Sequence, residues 1–141
     1  MPPFTRLTVP DALLARVIEH ARAELPNECC GLLAGVIEGD LGRVTQHFPL
    51  VNQLSSPTEY LSEAGSIIAA EKARRAAETE VLAIYHSHPA SAAVPSRKDI
   101  ERNYWGETVT HLIVGLAGAE PEVRAWWLTD GSYRDAEWTV S

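Results

Sequence analysis

The stretch "VLAIYHSHPASAAVPSRKDIERN", residues 81–103, changes character twice. Val81 to His88 is an apolar and aromatic run of strand length, bounded by a proline. Pro89 to Pro95 is a loop of small residues between two prolines, and Pro89 ends the strand because it cannot donate to a sheet ladder. The charged segment from Ser96 opens a short helix. A buried strand therefore runs through a tight loop into a helix. Side chains repeat with period two along a strand, so His86 and His88 share one face. Ser96 and Asp99 stand at i and i+3 on the helix start and share a face there.

Outward from this unit the chain alternates between helical and extended patterns. "LTVP" reads as a short first strand, and "DALLARVIEHARAEL" as an amphipathic helix with Leu13, Leu14, Val17, Ile18 and Ala21 at helical spacing. "CCGLLAGVIEGD" and "GRVTQHFPLVN" read as a hairpin turning at Gly39-Asp40. "QLSSPTEY" is a loop. "SEAGSIIAAEKARRAAETE" predicts a second helix with Ser62 as N-cap. After the third helix, "TVTHLIVGLAG", "EVRAWWLTD" and "SYRDAEWTV" read as three closing strands. The mixture predicts one α/β (α+β) domain over residues 1–141, with helices packed on a mixed sheet.

Composition narrows the function classes. The 141 residues are 45% apolar and 22% charged, as expected of a globular domain. A net charge of −7 and the lack of a basic stripe argue against nucleic acid. No uncharged apolar stretch approaches about 18 residues, so no membrane span is expected. The N-terminus shows no secretory pattern. Cys29 and Cys30 are adjacent, point to opposite faces of a strand and pair poorly, which fits a reducing, cytoplasmic compartment. Trp126 and Trp127 are expected on opposite sheet faces. Tyr104 and Trp105 follow the third helix, where core packing is the expected role and lining a substrate groove the alternative. His20, His47 and His111 have no ligand spacing.

Two same-face imidazoles suit one metal ion, and Asp99 can return from the helix as a third ligand. Two neutral histidines and one carboxylate fit zinc, and three protein ligands leave a fourth position for water. Zinc brings the pKa of bound water to about 7. Each half of the pattern also has a plain reading: histidines at strand ends are often merely exposed, and Ser-x-x-Asp is a helix capping box. Capping is compatible with ligation, since it would hold Asp99 in place. Hydrolysis also needs a base. Glu28, in "PNECCGLLAG", stands at the start of a predicted strand, while Glu59, Glu63, Glu80 and Glu101 compete with it on sequence grounds.

"NECCGLLAG" followed by "HSHPASAAVPSRKD" resembles the JAMM (MPN-plus) family of zinc metallopeptidases and isopeptidases. The pattern H-x-H-P-x6-S-x-x-D is complete, and the likeness in element order runs from about Thr5 to Trp138. The resemblance implies a curved mixed sheet flanked by helices, similar to that of cytidine deaminases. It implies one zinc per chain held by His86, His88 and Asp99, with Glu28 as general acid/base and Ser96 donating to the oxyanion. Family members cut the bond after the C-terminal Gly-Gly of ubiquitin-like proteins. The short segment Ile100 to Thr108 resembles the compact prokaryotic branch, whose members are thought to act on ubiquitin-like sulfur carriers. Two other readings share the fold: a non-catalytic MPN scaffold, and a RadC-like protein with almost the same motif. An exposed sheet edge or the first helix could form a homodimer.

Overall fold

The computed structural model describes residues 2–141. The chain runs β1 (Arg6–Val9), α1 (Asp11–Ala23), β2 (Cys30–Glu38), β3 (Leu41–Leu50), α2 (Ala64–Ala76), β4 (Glu80–His88), α3 (Arg97–Glu101), β5 (Thr110–Gly115), β6 (Glu122–Thr129), β7 (Ser132–Asp135) and β8 (Glu137–Val140). The strands form one mixed sheet in the order β7-β6-β5-β4-β2-β3-β1-β8. β1/β3, β1/β8 and β4/β5 are parallel, and the other neighbours are antiparallel.

The expected last strand is in fact two. Only Ala136 separates β7 from β8, yet these lie at opposite ends of the sheet order. One residue can span that gap only because the sheet curls until its two edges approach. The Ala136 amide donates to the Ala125 carbonyl of β6 at 2.9 Å, which marks where the chain leaves β7 and crosses over to β8.

Strand alternation sorts the core onto two faces. Leu33, Tyr85, Leu112, Val114 and Trp127 pack with Val17 and Ala21 of α1. Cys30, Leu32 and Ile84 face the other way and pack with Ala70 and Ile67 of α2. On that second face, Ile113, Trp126 and Leu128 are covered by Ala93 and Val94 of the loop after β4. Neighbouring residues therefore divide as expected: Cys29 from Cys30, and Trp126 from Trp127. Both cysteines are free and buried.

Two local features differ from the sequence reading or explain it. The N-cap of α2 is Glu63, whose carboxylate accepts from the amides of Gly65 (2.6 Å) and Ser66 (3.0 Å). Ser62, expected in that role, instead donates its hydroxyl to Cys30 Sγ at 3.5 Å. Gly31 is fixed by Tyr85: a Cβ there would lie 2.1 Å from the tyrosine ring. Tyr85 in turn holds its hydroxyl between His20 Nδ1 (2.6 Å) and His47 Nε2 (2.7 Å) on the α1 face. No helix among the described residues is long and apolar enough to cross a membrane.

Candidate metal centre and hydrolytic site

His86 and His88 occupy the C-terminal end of β4, on the face between α2 and the loop after the strand. Both are buried. The loop is drawn over the sheet by its own backbone: the Ala93 amide donates to Glu122 Oε1 (2.9 Å), and Trp126 Nε1 donates to the Ala93 carbonyl (2.9 Å). Its neighbour Ala92 offers a carbonyl 2.8 Å from His88 Nδ1. A carbonyl only accepts, so Nδ1 carries a proton, and Nε2 is the ring nitrogen that faces Asp99.

Asp99 reaches the histidines because Ser96 caps α3. The Ser96 hydroxyl oxygen accepts from the Asp99 amide (3.2 Å), and Asp99 Oδ2 accepts from the Ser96 amide (2.8 Å), which is a complete capping box. That same Oδ2 lies 3.2 Å from His86 Nε2 and 3.1 Å from His88 Nε2, and the two nitrogens are 3.1 Å apart. A carboxylate oxygen and two imidazole nitrogens converge at this range when positive charge, as a proton or a metal ion, lies among them. Four-coordinate zinc with bonds of about 2.0 Å sets ligand atoms about 3.3 Å apart, close to the observed triangle. The residues therefore fit a zinc ion, and they are a group able to hold a metal.

The electrostatics show a site that favours positive charge among these groups. Burial would raise the Asp99 carboxyl, but the neighbouring His86, the bonds to both rings and the Ser96 amide hold it well below the ordinary carboxylate range. Burial alone would lower His88, but its bonds to Asp99 and to the Ala92 carbonyl bring it above its usual value.

Glu28 sits just before β2, 5% exposed, and lines a cleft of about 430 Å³ with His88, Ser96, Pro57, Thr58 and Lys98. Its Oε1 is buried with no hydrogen-bond partner among the described residues. Desolvation pushes the carboxyl up to about 8, against the opposing pull of His88. The competing carboxylates are engaged elsewhere. Glu59 pairs with Lys98 (3.1 Å) and Arg102 (3.3 Å), Glu63 caps α2, and Glu101 pairs with Arg97 (2.9 Å). Glu80 begins β4, at the opposite end of the strand from the histidines.

Sequence reading missed the supports of this site. Tyr60 stacks on His86, with ring centroids 4.7 Å apart and planes 25° apart. Glu59 clamps α3 through its two ion pairs. Both lie in the loop between β3 and α2, which has no periodicity to read. Tyr104 and Trp105 line a second cavity of about 300 Å³ beside Asp99, together with Tyr60, Leu61 and Ile67. Tyr104 is 75% exposed there, against the expected core packing, whereas Trp105 packs on the cluster of Cys30, Leu32 and Ile84 as expected.

Residues 10–129 match the family described as prokaryotic homologs of the JAB domain. The "CysO-cysteine peptidase" of Mycobacterium tuberculosis is 32% identical over 120 residues, 85% of this chain and 81% of that protein. The "Probable TtuB-protein conjugate cleaving protease" of Thermus thermophilus is 39% identical over 126 residues, 89% of this chain and 78% of that protein. A Desulfitobacterium hafniense protein solved in solution superposes with a TM-score of 0.88 at 29% identity, covering 96% of this chain and 92% of its own.

Proposed function

The chain belongs to the prokaryotic JAB-domain family, and from that membership we propose that it is a zinc-dependent peptidase. It hydrolyses the amide bond after the C-terminal Gly-Gly of a ubiquitin-like sulfur carrier, releasing an attached amino acid or protein. The observation that carries this reading is the shared cleft: a buried carboxylate, Glu28, whose Oε1 has no hydrogen-bond partner among the described residues, opens into the same space as His88 and the cap residue Ser96. The relatives' printed names supply the substrate class, one naming an amino-acid adduct and the other a protein conjugate. A closed structural metal site would not need an acid–base group beside it, and a scaffold would need neither.

His86, His88 and Asp99 hold the metal, one ion per chain. A zinc ion there would lower the pKa of water to about 7 and polarise the scissile carbonyl. Glu28 accepts the proton of the attacking water and passes it to the leaving amine, so one residue serves as base and then as acid. Its burial suits the task, because a carboxyl raised toward neutrality takes a proton from water far better than an ordinary carboxylate and can still pass it to the leaving amine. Ser96 Oγ accepts from the Asp99 amide and keeps its own hydroxyl proton to donate to the oxyanion. The Gly-Gly tail lies extended against the cleft, where the absence of side chains lets the carbonyl come close.

The test is incubation of zinc-loaded protein with a ubiquitin-like carrier extended beyond Gly-Gly by one amino acid, read by intact mass. We expect loss of that one residue, and no loss when the final glycine is replaced by a bulky residue. Equal cleavage of the bulky tail, or cleavage of unrelated peptides with the carrier untouched, overturns the substrate assignment.

A further inference from the structure

Asn52 stands just beyond β3, half-buried, with no ligand or catalytic spacing to single it out. Its side chain makes the four hydrogen bonds an amide can make. Nδ2 donates to the Glu28 carbonyl (3.1 Å) and to the Glu59 carbonyl (3.0 Å). Oδ1 accepts from the amides of Leu54 (3.1 Å) and Leu61 (3.1 Å). The loop 52–61 is thus closed around one side chain, and its backbone adds a second tie to Glu28, whose amide donates to the Ser56 carbonyl at 2.8 Å. Glu28 is held on both sides of its own α-carbon by this loop. The same loop carries Glu59, which grips Lys98 and Arg102 on either side of the segment that bears Asp99.

We propose that Asn52 is a positioning residue for the hydrolysis: it ties the backbone of Glu28 to the loop that clamps α3, and so sets where the Glu28 carboxylate stands relative to Ser96 and Asp99. The proposal rests on the reading of Glu28 as the proton carrier. The physical ground is that the buried Oε1 of Glu28 has no hydrogen-bond partner among the described residues to orient it. Its direction comes from its backbone, and the two hydrogen-bonding groups of that backbone are fixed by Asn52 and Ser56. Misplacement by about 1 Å at a reacting group can cost about 100-fold in rate.

Asn52→Asp separates this role from general support of the fold. Aspartate keeps both acceptor contacts to Leu54 and Leu61, and it loses both donors, so the turn survives while the tie to Glu28 is cut. With a Gly-Gly carrier extended by one amino acid as substrate, we expect kcat to fall by about 10–100-fold with KM little changed. Zinc content should stay at the level of the parent. Amide exchange at Glu28 should speed up by about tenfold, while Leu32 in β2 stays protected. In the Glu28→Gln background, measured at raised enzyme concentration, Asn52→Asp should cause no further loss, because a misplaced glutamine does no worse than a placed one. Parent-level kcat, parent-level exchange at Glu28, loss of zinc, or an equal fold-loss in the Glu28→Gln background each overturns the proposal. If Asn52→Asp unfolds the loop, Asn52→Ser keeps a local acceptor for the Leu54 amide and is held to the same outcomes. Full turnover by Glu28→Gln alone is a different failure: it removes the catalytic assignment of Glu28, and the positioning role with it.

Discussion

Ser96 and Asp99 cap each other across the first turn of α3, and the oxygen of Asp99 that completes the cap is the one facing both histidines. One carboxylate oxygen is thus fixed from the helix side by a backbone amide and from the sheet side by two rings. The capping box is therefore compatible with the ligand reading of Asp99, because the capped oxygen is the one turned to the rings.

That arrangement separates the variants of the metal centre. We expect about one zinc per chain in the purified protein by elemental analysis. His86→Ala and Asp99→Ala should lose it. Ser96→Ala should keep it, because the Ser96 amide still bonds Asp99 Oδ2. Its rate should drop by about 100-fold, the usual cost of an oxyanion donor, and the lost cap should cost about 1 kcal/mol of stability. Full zinc in both His86→Ala and Asp99→Ala rules out this ligand set.

Glu28→Gln keeps the side chain's shape and removes its proton chemistry. Zinc should remain, and hydrolysis should fall by about 100-fold or more. Steady-state kinetics paired with metal analysis read both quantities, and unchanged turnover would move the role to another group.

Gly31→Ala tests the packing behind the site. Its new Cβ would meet the ring of Tyr85, which cannot swing away while two histidines hold its hydroxyl. We expect a loss of about 1–3 kcal/mol, the usual range for overpacking a core. Urea unfolding measures it, and a midpoint equal to the parent's would show that Tyr85 yields freely.

His47 predicts a pH dependence. Its pKa is pushed down to about 4, first by burial and then by His20 and Arg16. A histidine depressed in the folded state takes up its proton earlier in the unfolded chain. Its contribution is fully present above the unfolded value of about 6.5 and is lost as pH falls from there toward 4. Thermal unfolding between pH 7 and 4 should decline less steeply in His47→Gln than in the parent. Parallel curves would show that His47 carries no part of the acid sensitivity.

The candidate site was largely legible because its proposed ligands sit on regular elements. Period two in β4 put His86 and His88 together, and the first turn of a helix put Ser96 and Asp99 together. The supports were not legible, because they belong to the irregular loop before α2. Nothing local says that Asn52 will meet Glu28, or that Tyr60 will lie on His86. The α2 cap was misplaced by one residue because Ser62, the better capping type, is drawn to Cys30 Sγ, while Gly65 leaves room for the Glu63 carboxylate. A Cβ on Gly65 would come within 2.7 Å of Glu63 Oε1. The split of the last strand at Ala136 follows from curvature accumulated over the whole sheet, which no short segment encodes.

The parallel pairing of β1 with β8, from Arg6↔Glu137 to Val9↔Val140, has a consequence for the order of events during synthesis. β1 leaves the ribosome before the other strands of this sheet and finds one partner when β3 arrives. Its other edge waits until β8 has been made, about 130 residues later. Until then that edge is an open template for any extended chain nearby. So long a wait makes closure a slow, non-local step, of the kind that sets folding rates in sheet proteins. Damage to the last strand would therefore be felt at the first, as a nascent chain that folds around its active site and still sticks to its neighbours.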